Sequence, residues 1–110
     1  MELPSFIQNL DALQLPLPPE KVKTHAIRSD RGLMVIFDAL EDLSIPPHSH
    51  LAQWGTVIHG CLELTIDGVT TTYGPGQSYN LEAGVVHAAK VHKGSKVIDL
   101  FEEPDRYPLK

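Results

Sequence analysis

Leu62-Glu63-Leu64-Thr65-Ile66-Asp67-Gly68-Val69-Thr70-Thr71-Thr72-Tyr73 carries the clearest structural instruction in the chain. Leu62, Leu64 and Ile66 alternate with Glu63, Thr65 and Asp67, the pattern of a half-buried strand with one wet face. Asp67-Gly68 then offers two residues that tolerate a positive φ, so the segment turns back as a hairpin of the mirror-image type. Working outward, strands are expected at 22–27, 33–40, 43–50, 53–59, 61–66, 69–73, 78–81, 86–92 and 96–101. Ser29-Asp30-Arg31-Gly32, Gly74-Pro75-Gly76, Gly84 and Lys93-Gly94 punctuate them as turns. Many short strands separated by Gly, Pro and Asp predict an all-β domain, an antiparallel sandwich or barrel.

The first residues read differently. Pro4 suits an early helical position, and Phe6, Ile7, Leu10 and Leu13 share one face of a helix over residues 4–13. Leu15-Pro16-Leu17-Pro18-Pro19 removes backbone donors and forces extended chain, which ends that helix. The expected organisation is therefore an N-terminal helix and Pro-rich extended segment (1–21) followed by one barrel domain (22–110).

Composition narrows the partners. The 110 residues hold 9 Lys plus Arg against 14 Asp plus Glu, a formal charge of −5. An acidic domain without a basic run repels phosphate backbones, so nucleic acid is not an expected partner. The lone Cys61 makes no internal disulfide. The longest apolar run, residues 33–37, is far too short for a membrane span. No basic stretch followed by an apolar one opens the chain, so the expected location is the cytoplasm.

Chemistry concentrates in histidine. Of the six in the chain, His48 and His50 stand two apart. On an extended strand they project from the same face and form half of a metal chelate. His48, His50, Gln53 and Gly60 together resemble the first motif of the cupin superfamily. Gly76, Glu82-Ala83-Gly84 and His87 resemble its second, and the Asp67-Gly68 hairpin lies between them. The chain departs from the family pattern at Gln53, where Glu is usual, at Glu82, where Pro is usual, and at Val91, where many members carry Asn.

The resemblance spans about residues 33–101 and implies a double-stranded β-helix (jelly-roll) barrel, open at one end, that holds a divalent metal ion. By the same resemblance His48, His50, Gln53 and His87 would be the ligands. Three imidazoles and an amide oxygen suit Zn, Ni, Fe(II), Mn or Co without choosing among them. With no charged ligand the centre keeps roughly +2, which favours an anionic oxygen from a small molecule.

Asp99 is the odd carboxylate on an otherwise apolar last strand, where it needs a partner or a task. Arg106 is the nearest candidate partner. The Asp99, Phe101 and Arg106 ending resembles that of small cupins that process unsaturated uronates, which implies that Asp99 moves protons and Arg106 holds a substrate carboxylate. A structural Asp99–Arg106 ion pair is the alternative. Tyr79 and Trp54 read as packing residues, His59 and His92 as turn residues, and His25 as unassigned.

These features lead to an expected metal-dependent isomerase or lyase acting on a small anionic, sugar-acid-like metabolite. A non-enzymatic binding protein and an Fe(II) dioxygenase are the alternatives. Exposed strand edges in so small a barrel, with the N-terminal segment free to pack across a partner, predict a homodimer.

Overall fold

The computed structural model describes residues 1–110. One short helix, α1 (Ser5–Gln8), precedes nine strands: β1 (Val22–Ser29), β2 (Gly32–Ala39), β3 (Leu43–His48), β4 (Gln53–His59), β5 (Leu62–Ile66), β6 (Val69–Tyr73), β7 (Ser78–Leu81), β8 (His87–Val91) and β9 (Lys96–Phe101). Every strand pair is antiparallel. They form a five-stranded sheet, β1-β2-β9-β4-β7, and a four-stranded sheet, β3-β8-β5-β6.

The hairpin forms as its sequence requires, with Asp67 at φ 51° and Gly68 at φ 76° in the β5–β6 turn. The inner faces of the two sheets supply the core. Val57, Tyr79, Leu81 and Val97 come from one, and Leu43, Leu62, Leu64 and Val91 from the other. Strand parity fixes which residues face inward. One inner row crosses the five-stranded sheet as Ala26, Val35, Asp99, Gly55 and Tyr79, each in register with the next. The outer row beside it is Ile27, Met34, Leu100, Trp54 and Asn80.

The N-terminal segment departs from its expected form. The helix spans four residues rather than ten, and Phe6 is exposed. Edge pairing captures the remainder: Ala26 N–H donates to Asp11 O at 2.8 Å, and Leu13 N–H donates to Thr24 Oγ1 at 2.8 Å. Leu13 is thus buried against the barrel, where it belongs to a second apolar cluster with Ala26, Leu33, Val35 and Phe101. The C-terminal tail runs beside it, with Gln14 N–H donating to Pro108 O and Lys110 N–H to Ala12 O. Short helices are marginal on their own, so tertiary pairing overrides local propensity here. The strap that results carries Leu15, Pro16 and Leu17 onto the wall of the internal cavity.

Candidate metal centre

Pro46-Pro47 sets the geometry at the end of β3. Neither residue has an N–H to give the ladder, and the β3–β8 register shifts between Ile45 and His48. After the shift His48 pairs directly with His87. The strand stops there, so His50 stands in the following loop, whereas the sequence placed it on one strand with His48. Gly84 N–H donates to His50 O, which ties that loop to the β7–β8 turn. Leu51 N–H to Glu103 Oε1 (2.7 Å) and Ala52 N–H to Glu102 Oε2 (3.1 Å) tie it to the tail.

The three imidazoles converge. Their ring centres lie 4.3 Å (His48–His87), 4.9 Å (His50–His87) and 5.2 Å (His48–His50) apart, and their ligand atoms all fall within 4.8 Å of one another. Two nitrogens on one ion, with bonds of about 2.1 Å, stand at most about 4.2 Å apart, so small ring rotations close the set.

Each Nδ1 faces a backbone carbonyl: His48 to Pro46 O (2.9 Å), His50 to Leu51 O (2.7 Å) and His87 to Val85 O (2.9 Å). A carbonyl only accepts, so each Nδ1 carries the proton and each Nε2 keeps its lone pair. Burial pushes the His50 and His87 imidazoles below the ordinary histidine range, against the pull of those carbonyl bonds. The neutral form, the one that binds metals, is therefore favoured. His50 Nε2 is buried without any hydrogen-bond partner. Such an orphan is costly unless a ligand occupies it, and three aimed lone pairs fit a divalent ion.

Gln53 opens β4 and lines the same cavity. Its Nε2 donates to Asp99 Oδ1 at 2.9 Å, because a carboxylate can only accept, and this leaves Oε1 as its free ligand-capable atom. Tyr79 Oη donates to the same Oδ1 at 2.6 Å. Gly55 lies between Tyr79 and Asp99 in the inner row, and a Cβ there would overlap Asp99 Oδ1 and the Tyr79 ring. Burial raises the Asp99 carboxyl to about 6, although both hydrogen bonds pull it back toward the ionised form. Burial also raises the Tyr79 hydroxyl, helped by the Asp99 charge.

Tyr79 is thus more than a packing residue. A glycine inside a strand marks close approach across it, and Gly55 is the sequence signal that points to the Tyr79–Asp99 contact. The alternative Asp99–Arg106 ion pair does not form, since the ion pairs present join other residues. Arg106 instead lies over the Tyr107 ring, with Cζ 4.5 Å from its centre. His92 is not a free turn residue, because its Nε2 meets Glu63 Oε2 at 2.6 Å. His59 is exposed and His25 is buried, both outside the cluster.

The site opens into an internal cavity of about 190 Å³ between the sheets. The model of the cupin domain family matches residues 34–101, from within β2 to the end of β9. The chain belongs to the cupin family. Solved structures agree on the fold. KdgF from Halomonas sp. is 24% identical to this cupin, with 86% of each chain covered and a TM-score of 0.71. An RmlC-like cupin from Shewanella frigidimarina is 21% identical over 90% of this chain and 87% of that one, with a TM-score of 0.73. Oxalate decarboxylase from Bacillus subtilis, a protein with Mn(II) centres, is 15% identical; 90% of this chain covers 29% of that one at a TM-score of 0.70. No curated protein matches this cupin by sequence. No helix is long and apolar enough to cross a membrane.

Proposed function

We propose that this cupin is a metal-dependent enzyme that moves a proton on a small anionic molecule, in an isomerase or lyase reaction. The observation that carries the reading is the convergence of three histidines, each with Nδ1 on a backbone carbonyl, in a cavity that also holds a buried carboxyl. His48, His50 and His87 would hold the ion, with Gln53 Oε1 as the fourth ligand. Held there, a divalent ion would supply Lewis acidity toward negative charge on a substrate oxygen.

The chain's own residues supply the rest. Asp99, raised toward neutrality by burial, is suited to take or give a proton at its carboxyl. Tyr79 and Gln53 hold that carboxyl in place through Oδ1. The apolar walls exclude water, which strengthens each electrostatic contact inside. Arg106 does not line the cavity, but its charge adds to burial in lowering the His50 and His87 imidazoles and its buried Nε has no hydrogen-bond partner, which supports its expected role of holding a substrate carboxylate.

The test combines metal analysis of tag-free protein with proton–deuterium exchange followed by NMR in D2O. The panel is 2-oxo acids and unsaturated uronates. Exchange by the wild type, and its loss in Asp99→Asn with the metal retained, is the expected result. Unchanged exchange in Asp99→Asn removes the carboxyl from the mechanism. Ligand-induced stabilisation with no exchange by the wild type favours a binding protein instead.

The partner expected from sequence is a second copy of this chain. The outer row Ile27, Met34, Leu100 and Trp54 presents apolar side chains, with Trp54 42% and Leu100 44% exposed. Arg31 and Glu102 line the same groove. Opposite charges on one patch complement each other when that patch meets itself across a two-fold axis.

A further inference from the structure

The cavity is apolar over most of its wall. Fourteen of its 21 lining residues are hydrophobic, contributed by both sheets and by Leu15, Pro16 and Leu17 of the N-terminal strap. No lysine or arginine lines it. Besides the histidine triad, its polar side chains are Gln53, Tyr79, Asp99 and Tyr107.

Most of these polar groups are already committed. The Nδ1 atoms of the histidines are spent on carbonyls, and their Nε2 atoms point at the ion site. The Gln53 amide nitrogen and the Tyr79 hydroxyl are both spent on Asp99 Oδ1. Arg106 lies over Tyr107, outside the lining, with its buried Nε free of hydrogen-bond partners. A ligand that brings several hydroxyls would lose its water and find few donors or acceptors in return, at roughly tenfold in affinity for each unpaired group. A ligand that brings hydrocarbon meets surface that gains from contact.

Size sets the other limit. An engineered apolar cavity of about 150 Å³ takes up benzene, and the 190 Å³ present here is somewhat larger. It holds a body slightly bigger than one benzene ring.

From this arrangement we infer that the cavity selects a compact, mainly hydrocarbon molecule with a single oxygen-bearing anionic head, such as a short-chain 2-oxo acid, and disfavours polyhydroxylated acids. The head lies against the histidine end and the body against Leu64, Ala89, Ile45 and the Leu15–Leu17 strap. This inference rests on the metal-dependent reading above for the placement of the head. The hydrocarbon preference rests on the walls alone.

Isothermal titration of the Co(II)-loaded protein tests it, with pyruvate, 2-oxobutanoate, 2-oxopentanoate and 2-oxohexanoate on one arm and galacturonate and gluconate on the other. The expected result is a Kd that falls about fourfold with each added methylene. The two polyhydroxy acids should bind at least about tenfold more weakly than 2-oxohexanoate. Ile45→Thr, on a half-buried wall position, should flatten the chain-length gradient without changing the cobalt spectrum. A flat series, galacturonate binding as tightly as 2-oxohexanoate, or no binding by any 2-oxo acid overturns the inference. Visible absorption of cobalt is read separately. Bound cobalt with a flat series overturns the hydrocarbon preference alone, and no bound cobalt with the gradient intact overturns the metal reading alone.

Discussion

Asp99→Asn tests the most strained electrostatic feature of the barrel. Asp99 is 5% exposed, and its carboxyl is raised from 3.8 to about 6. Burial is the main cause and outweighs the two hydrogen bonds that favour the charged form. The sign follows from linkage. A raised folded value means the native state holds its proton where the unfolded chain has released it. The stabilising contribution is complete below the unfolded value, shrinks as pH rises, and is gone above the folded value. A difference of about 2 units corresponds to about 3 kcal/mol. Asparagine keeps an oxygen for Tyr79 and Gln53 to bond, but carries no charge to desolvate. Urea unfolding of metal-free wild type and variant should therefore diverge between about pH 4 and pH 6, the wild type losing up to about 3 kcal/mol relative to the variant. Chelation matters, because any ion that binds only the folded state adds its own stabilisation. Stability curves that run parallel across this window would refute the claim that burial controls this carboxyl.

Four further outcomes are expected. Gly55→Ala places a methyl between Tyr79 and Asp99 and should cost about 1–3 kcal/mol, read by urea midpoint, whereas a stability unchanged from wild type would deny the close approach. His87→Ala should weaken Co(II) binding more than the roughly 100-fold that follows loss of a mere supporting contact, and exposed His59→Ala should leave it alone, both measured by equilibrium dialysis. Because burial lowers the His50 and His87 values, Co(II) uptake should persist below the ordinary histidine range and fail only in more acid solution, and a midpoint at or above the ordinary value of 6.5 would contradict this. Trp54→Glu should convert a sedimenting dimer into a monomer without altering cobalt uptake, and an unchanged sedimentation coefficient moves the interface elsewhere.

Local pattern was enough for much of this molecule. The alternation from Leu62 to Ile66 and the Asp67-Gly68 turn encode their hairpin without outside help. The His48–His50 spacing reads as half a chelate by itself, but His87 joins them only through the resemblance to the cupin motifs. What stayed hidden depends on contacts between segments far apart in the chain. The apolar face of residues 4–13 reads as a helix, but Asp11 and Leu13 are drawn onto β1, and no local feature announces that competition. His50 falls beyond its strand because two prolines starve the ladder upstream. Tyr79 meets Asp99 only because β7 and β9 both flank β4 at Gly55, a fact of sheet order. Arg106 reads as the natural counter-ion by proximity in sequence, yet an aromatic ring takes it first.

The walls of the container are made from separate lengths of polypeptide. The histidines and the enclosed carboxyl sit on the loops and strands of the barrel, whereas Leu15 and Leu17 hang on a strap outside both sheets. Changes to the strap can therefore reshape what is admitted while the histidine cluster stays as it is, which gives this small scaffold a simple route to new clients.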